Sequence, residues 1–290
     1  YYFSSTLHES YQQLGTEVGP VDLATIYNFC EYMQSKLGDP RLLDRHLVFY
    51  AEKEVPFRTN AIFLLSCYLM MFEDWSPERT SRTFAAMGNR LFVMYRDSSS
   101  LPASYFISLL DCLRGLVKAT KLRWFHYANF DVHKYIWLGN PQNFFLHQPC
   151  DKFLLLKAPD EAHETLVVRD YCNLFKRFDV TVVVALGDKL KYDPNEFEDE
   201  GIRHVHLPFE DEYIPSVKVV EDFWNVCKEE GTVAVHCSNG GRRSATLISL
   251  WIMEVHGWTA RDCISWLRIV RPGSIVGPQQ HYLALVERSL

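Results

Sequence analysis

The stretch Thr232-Val233-Ala234-Val235-His236-Cys237-Ser238-Asn239-Gly240-Gly241-Arg242-Arg243-Ser244 decides the fold. It begins with a short apolar run, as in a strand buried inside a parallel sheet, and the residues after it have the composition of a helix. Between the two lies a glycine-containing loop that separates a cysteine from an arginine by five residues. Strand, loop and helix in this order predict an α/β domain.

The loop has the length and the glycines of an anion-binding turn. Its five residues are Ser238, Asn239, Gly240, Gly241 and Arg242. Such a loop can direct its backbone N–H groups toward one point, and the helix that follows adds the positive end of its dipole. Arg243 can then bind two phosphate oxygens, and Cys237 at the base of the loop becomes a nucleophile aimed at phosphorus. The stretch therefore predicts a site that holds a phosphate group and attacks it.

Side chains near the loop are candidates for supporting roles. Ser244 can donate a hydrogen bond to the sulfur when it leaves phosphorus, and we expect His236 to order the loop rather than to act as a base. The leaving oxygen needs a proton, so a carboxylic acid on a movable loop is expected. Asp211, between two prolines, is our choice, and spacing alone leaves its neighbours Glu210 and Glu212 open.

A faint internal repeat predicts two related domains. The apolar run at 47–50 precedes a helix that opens near Arg58, much as the run at 232–235 precedes Arg243. The position six residues before Arg58 is Glu52, so the first copy lacks a cysteine nucleophile. Residues 180–186 form a continuous, largely β-branched run and predict a strand buried on both faces. The predicted organisation is a first domain over 1–150, a helical linker over 151–178 and a second domain over 179–290.

Composition excludes several classes of protein. Of the 290 residues, 48% are hydrophobic and 23% charged, which is a globular balance, and the net charge of −6 argues against nucleic-acid binding. The apolar run at 61–72 is too short to cross a bilayer and predicts a buried helix. Eight scattered cysteines without a CxxC pair predict free thiols in a reducing compartment. The chain begins at Tyr1 without a signal-like segment, so we expect a piece of a cytosolic or nuclear protein.

Other motifs carry less information. His204 and His206 could face one side of a strand and bind a metal, but ordering roles in the core or a loop are favoured. The sequence has neither GxxxxGK[ST] nor GxGxxG, so nucleotide binding has no support. We expect neither a metal nor another cofactor. The acidic run at 196–200 predicts an exposed loop.

Residues 236–244 resemble the signature of the cysteine-dependent protein tyrosine phosphatase superfamily. Most of the chain resembles one branch of it, the mitotic-exit dual-specificity phosphatases of the cell-division-cycle-fourteen family. The stretches that carry this resemblance are Tyr1-Tyr2-Phe3-Ser4, Tyr95-Arg96-Asp97, Asn129-Phe130-Asp131-Val132 and Arg268-Ile269-Val270-Arg271-Pro272-Gly273-Ser274-Ile275-Val276-Gly277-Pro278-Gln279-Gln280-His281. The resemblance implies two tandem phosphatase-like domains of the dual-specificity type, of which only the second is catalytic.

The resemblance also implies a reaction and a substrate. It implies hydrolysis of phosphoserine followed by proline, with a basic residue further on, and a role in cell division. It supports Asp211 as the general acid and implies that Gln280 orients water. The acidic residues that are candidates to bind the basic residue of the substrate are Asp97, Asp131, Glu161 and Glu164. Phosphoproteins are therefore the expected partners. Phosphothreonine and phosphotyrosine are further substrates that the resemblance allows, and the oligomeric state stays open.

Two alternatives remain at this point. Arg242 stands where the family usually has glycine, and this extra charge favours a phosphoinositide phosphatase on the same fold. A pseudophosphatase that binds phosphopeptides without hydrolysing them is the other alternative. The presence of Cys237, Arg243 and Asp211 together argues against a pure binder.

Overall fold

The computed structural model describes residues 1–5, 19–51, 53–86, 92–99, 102–160, 166–210, 214–229, 231–237 and 241–289. The chain divides into two compact units, Tyr1–Phe130 and Asp131–Leu290. Each unit has its own set of helices and strands, so the prediction of two α/β domains in tandem is confirmed.

The first unit is mostly helical. Its described elements are β1 (Tyr2–Ser4), α1 (Leu23–Leu37), β2 (Val48–Tyr50), α2 (Val55–Phe72), α3 (Pro77–Ala86) and α4 (Leu109–Lys121), with 3₁₀ turns at Pro40–Leu42 and Tyr127–Asn129. β1 and β2 pair in parallel. The predicted strand near 47–50 followed by a helix is therefore present, and the helix begins three residues before Arg58.

Helix α2 contains the predicted apolar run and extends it toward the N-terminus as far as Val55. Among the described residues it is the one helix whose length and hydropathy would allow it to cross a membrane, and 44% of that window is buried inside the protein. The core helix of a soluble protein meets the same criteria. Polar side chains are buried along it, because Thr59, Asn60 and Ser66 make hydrogen bonds inside the unit.

The second unit is built around a five-stranded sheet. Its strands are β3 (His147–Cys150), β4 (Phe153–Lys157), β5 (Val180–Ala185), β6 (Arg203–His206) and β7 (Thr232–Cys237). The order across the sheet is β3-β4-β7-β5-β6, and only the β3–β4 pair is antiparallel. β7 lies in the centre, between two parallel neighbours, and all six of its residues are buried. The predicted strand over 180–186 is confirmed as β5.

Helices cover this sheet. They are α5 (Val132–Gly139), α6 (Val168–Phe175), α7 (Asn195–Asp199), α8 (Val217–Cys227), α9 (Arg242–His256), α10 (Ala260–Val270) and α11 (Pro278–Val286). A capping box of Thr259 and Asp262 starts α10, and Gly257 ends α9 with a φ of 62°, in the left-handed region. The eight cysteines are all buried, and all are free, the latter as the sequence predicted.

Three sequence predictions differ from the structure. The boundary between the units falls after Phe130 rather than near 150, because β3 and β4 belong to the sheet of the second unit. The predicted linker over 151–178 is accordingly not one helix, since it contains strand β4 and the eight-residue helix α6. The acidic run at 196–200 largely forms the short helix α7, because the buried ring of Phe197 anchors it to the core.

Candidate active site

Cys237 is the last residue of the central strand and is 1% exposed. Its backbone lies opposite Lys157 of β4, and the preceding His236 lies opposite Ala185 of β5. In an open α/β sheet, ligands bind beyond the carboxyl ends of the strands. The usual place is the crevice between two neighbouring strands at which the strand order reverses. The predicted nucleophile therefore lies where this kind of fold builds its sites. Ser238, Asn239 and Gly240, predicted to form the phosphate loop, lie outside the described residues.

Helix α9 begins directly after the loop. Gly241 precedes its first turn with a φ of +88°, a conformation that favours glycine, and Arg242 is already helical. The conformational freedom that the loop needs is thus supplied by Gly241. An added Cβ at Gly241 would lie 2.8 Å from Cζ of Arg271. The glycine is required for space as well as for backbone geometry.

Arg243 occupies the first turn of α9 and is 1% exposed. Its Nη1 donates a hydrogen bond to the carbonyl oxygen of Phe209 and lies 3.7 Å from a carboxylate oxygen of Asp188. Phe209 belongs to the loop after β6 that leads to the predicted acid. Arg243 thus connects the start of α9 with two loops at the carboxyl edge of the sheet. Asp211 and Glu212 lie outside the described residues, and Glu210 is exposed.

A hydrogen-bonded network fixes His236. Its Nε2 lies 2.7 Å from the hydroxyl of Tyr192, and that hydroxyl is 2.8 Å from Nε2 of His204. Burial, followed by the nearby His204 and His206, lowers the pKa of His236 to about 3. The imidazole is therefore neutral at physiological pH and suits an ordering role. Burial also raises the pKa of Tyr192, which keeps the hydroxyl protonated.

The two histidines of β6 are occupied by hydrogen bonds. His204 bonds to Tyr192, and Nε2 of His206 donates to the carbonyl oxygen of Gly187 at 2.7 Å. Ordering roles, favoured over metal binding from the sequence, agree with these contacts. Within the part of the chain that the structure describes, no group of three His, Cys, Asp or Glu side chains is arranged to hold a metal ion.

Ser244 and Gln280 differ in how their side chains are used. Ser244 is fully buried on α9, and its hydroxyl has no hydrogen-bond partner among the described residues. Gln280, on α11, accepts a hydrogen bond from Nη2 of Arg268 at 2.8 Å and donates to the carbonyl oxygen of Gly277 at 3.3 Å. Its side-chain amide is thus bound to the segment that joins α10 to α11.

The sequence pattern did not single out Arg271 as a site residue. It follows α10, is fully buried, and its guanidinium lies over the ring of Phe145 with Cζ 3.9 Å from the centroid. Its other side approaches Gly241, as the position of an added Cβ indicates. A second arginine therefore lies next to Gly241, the residue that precedes α9.

Comparisons with known proteins agree with this arrangement. Residues 1–119 match the family model described as "Dual specificity protein phosphatase, N-terminal half", and residues 168–288 match "Dual specificity phosphatase, catalytic domain". All of the chain aligns with the human "Dual specificity protein phosphatase CDC14A", with 33% identity. The yeast "Tyrosine-protein phosphatase CDC14" is 29% identical over 95% of the chain.

The chain belongs to the CDC14 family, within the protein tyrosine phosphatase superfamily. It spans about half the length of the curated CDC14 relatives that it matches, 50% of the human protein and 52% of the yeast one. Among solved structures, Tk-PTP in its active form is 23% identical, with a TM-score of 0.42 over 50% of this chain and 96% of that one.

The acidic residues that the CDC14 resemblance suggested for substrate binding have different surroundings. Asp97, in the first unit, is 4% exposed and accepts a hydrogen bond from the hydroxyl of Ser99 at 3.0 Å. Asp131, in the second unit, is exposed and caps α5 by accepting from the backbone N–H of Lys134 at 2.9 Å. Glu161 and Glu164 lie outside the described residues. Of the two described acids, Asp131 alone has a carboxylate on the surface.

Two residues of this CDC14-family site were missed from sequence, Tyr192 and Arg271. Tyr192 follows a polar turn and carries no motif, although a tyrosine near two histidines in the fold is a good hydrogen-bond partner for them. Arg271 was noted only as part of a family stretch. Its position next to Gly241 depends on the fold, because α10 and the loop come from separate parts of the chain.

Proposed function

We propose that the chain is a dual-specificity protein phosphatase with a cell-cycle role, which hydrolyses phosphomonoesters through Cys237. The observation that carries this proposal is the pairing of Cys237, at the buried end of the central strand, with the buried Arg243 in the first turn of α9. A cysteine and an arginine at these two ends of one loop can act together on a bound phosphate. The CDC14 relatives and the catalytic-domain match support the same activity.

The reaction follows from the roles of these groups. The Cys237 thiolate attacks phosphorus while the ester P–O bond breaks, and Asp211 gives its proton to the leaving oxygen. Water then gives one proton to the Asp211 carboxylate and attacks the phosphocysteine, the S–P bond breaks, and inorganic phosphate leaves. Ser244, whose hydroxyl is uncommitted among the described residues, donates to the departing sulfur. Gln280 orients the water in this scheme, which requires its amide to exchange its present bond to Arg268.

Charge considerations support the remaining loop residues as phosphate ligands. The backbone N–H groups of a loop that precedes a helix bind anions, and the start of α9 adds its dipole. Loop ligands in this proposal are Ser238, Asn239, Gly240, Gly241, Arg242 and Arg243. His236 orders the end of β7 through Tyr192 rather than transferring a proton, because its imidazole is neutral and buried.

The first unit is the non-catalytic copy in this proposal. At the position of its loop, Glu52 replaces the nucleophile. Thr59, which corresponds to Ser244, accepts a hydrogen bond from the backbone N–H of Val93 at 3.2 Å. Arg58, which corresponds to Arg243, donates to the carbonyl oxygen of Lys53 at 3.0 Å. These side chains hold the fold of the unit together, which supports a structural use of this copy.

The proposed substrate is phosphoserine followed by proline with a downstream basic residue, in cytoplasmic or nuclear phosphoproteins. This part rests on the family. Asp131 is a candidate to bind the basic residue because its carboxylate is exposed, and Glu161 and Glu164 are candidates from sequence alone. Asp97 is buried, so contact with a substrate would require it to become accessible.

The experiment that tests the proposal measures phosphate release with EDTA present. The panel contains pSer-Pro-x-Lys, pSer-Ala, pThr-Pro and pTyr peptides and a phosphoinositide, and Cys237→Ser is the matched control. We expect the wild-type protein to release phosphate fastest from pSer-Pro-x-Lys, and Cys237→Ser to release none from any substrate of the panel. Phosphoinositide as the preferred substrate would replace the proposal with a lipid phosphatase. Phosphopeptide binding without release by the wild-type protein would indicate a binding module.

A further inference from the structure

The guanidinium of Arg271 is a buried charge without hydrogen bonds. The side chain is fully buried, and within the described part of the chain Nε, Nη1 and Nη2 all lack a partner. A charged group removed from water costs several kcal/mol unless it is paired. By contrast, the nearby Arg268 donates to Ser274, Ile275 and Gln280. Arg271 therefore weakens the fold unless an anion lies near it.

Aromatic side chains close one side of this guanidinium. It lies over the ring of Phe145, with Cζ 3.9 Å from the centroid, and cation–π attraction holds it there. Tyr135 donates a hydrogen bond to the carbonyl oxygen of Val270 at 2.7 Å, which fixes the backbone just before Arg271. The opposite side faces Gly241, where the absent Cβ leaves the space that the guanidinium occupies. The charge is thus held against the end of the loop.

Among the described residues, the titratable groups near enough for their charge to affect Arg271, or to be affected by it, are Cys237 at the end of β7, Tyr135 on α5 and His147 on β3. Burial lowers the pKa of Arg271 to about 10, so it remains charged at physiological pH. The same burial and the charge of Arg271 lower the pKa of His147, which stays neutral. Tyr135 is a hydrogen-bond donor to Val270 and keeps its proton. The one anion that this set can supply is the thiolate of Cys237.

We propose that Arg271 balances the charge of the Cys237 thiolate from behind the phosphate loop, while Arg243 binds the substrate phosphate in front. The inference rests on the proposed function and extends it, since it assigns one arginine to the nucleophile and the other to the substrate phosphate. Arg271 acts through Cys237 and is a positioning residue. It also gives Gly241 a second purpose, because any side chain there would separate the guanidinium from the loop.

The test measures how pH controls alkylation of Cys237 by iodoacetamide, followed by mass spectrometry of the peptide that contains it. The variants are Arg271→Met and Arg271→Gln, both uncharged, and Arg271→Lys, which keeps the charge. Arg203→Met, which removes an exposed positive charge from β6, is the matched control. An opposite charge nearby lowers the pKa of an acid by about one unit or more, so the alkylation–pH profile of the uncharged variants should move toward higher pH by about one unit.

Thermal stability separates this role from a structural one. Arg271→Met removes a buried charge together with its desolvation cost, so the variant should fold and unfold at about the wild-type temperature. We expect kcat for phosphate release to fall with KM little changed, and Arg271→Lys to stay near the wild-type alkylation profile. Folded Arg271→Met or Arg271→Gln with a wild-type alkylation profile would overturn the inference. Loss of stability with that same profile would mean that Arg271 is structural.

The outcomes also distinguish this inference from the proposed function. If the wild-type protein releases no phosphate but its alkylation profile depends on Arg271, the charge balance stands and the phosphatase proposal fails. If the wild-type protein releases phosphate and neither uncharged variant changes the profile, the phosphatase proposal stands and Arg271 has no part in it.

Discussion

The buried imidazole of His236 should make the stability of the second unit depend on pH. In the folded protein it is neutral and bonded to Tyr192, and its pKa is about 3. In the unfolded chain a histidine titrates near pH 6.5. Below about pH 6.5 the unfolded chain therefore binds a proton that the folded chain does not accept until about pH 3. The contribution of His236 to stability is complete above about pH 6.5 and is lost as the pH falls toward about 3.

The size of the effect follows from these two protonation states. Between about pH 7.5 and about pH 5.5, His236 alone should lower the free energy of unfolding by about 1.4 kcal/mol, which is RT ln 10. This value is insensitive to the exact folded-state pKa, because the imidazole is neutral in the folded protein at both pH values. Burial also lowers the pKa values of His147 and His204, so they add to the total loss.

The assay compares the wild-type protein with His236→Asn by urea unfolding at the two pH values. Five of the seven tryptophans lie in the second unit, so intrinsic fluorescence reports mainly on its unfolding. The substitution lowers stability at both pH values because it leaves a cavity, but the difference between them should shrink by about 1.4 kcal/mol. His133→Asn, at an exposed position on α5, is the control and should keep the wild-type difference.

The reasoning would be refuted by an unchanged pH dependence in His236→Asn. That result would mean that His236 gains a proton in the folded protein over the same range as in the unfolded chain. The ordering role would then have to be reconsidered, because a charged imidazole at this position could exchange protons with the site.

Two further substitutions test the same region. Gly241→Ala should reduce phosphate release by at least about tenfold, because its Cβ would meet Arg271. Gly257 has a φ of 62° and open space around it. Gly257→Ala should therefore cost about 1 kcal/mol of stability and leave activity unchanged. Tyr192→Phe leaves two histidines without their shared hydroxyl and should cost about 1–3 kcal/mol in urea unfolding. Equal loss of activity in the two glycine variants, or a Tyr192→Phe protein as stable as the wild type, would contradict these expectations.

The sequence was informative where structure depends on neighbours along the chain. The apolar runs of β5 and β7 are local patterns, and each lies in the structure where it was predicted. The candidate site was proposed from the same kind of local pattern, because one loop joins Cys237 to Arg243. Its roles remain proposals, since they concern a bound substrate.

Contacts between distant residues were not predictable. β4 pairs with β7 across a long separation, and its short apolar run at 153–156 fits a buried strand and a buried helix alike. Tyr192 and His236 are 44 residues apart. The unpaired charge of Arg271 is likewise a property of its surroundings, because an arginine after a helix usually reaches solvent.

The central position of β7 has a consequence for any attempt to isolate the catalytic part. A fragment that begins at 168, where the catalytic-domain match starts, would lack β3 and β4. The strand that carries Cys237 would then form the edge of the remaining sheet, with the backbone N–H and C=O groups that now pair with β4 left open. Open edges of this kind recruit strands from other molecules and lead to aggregation. A soluble fragment should therefore begin at Asp131, so that the hairpin continues to cover the strand of the nucleophile.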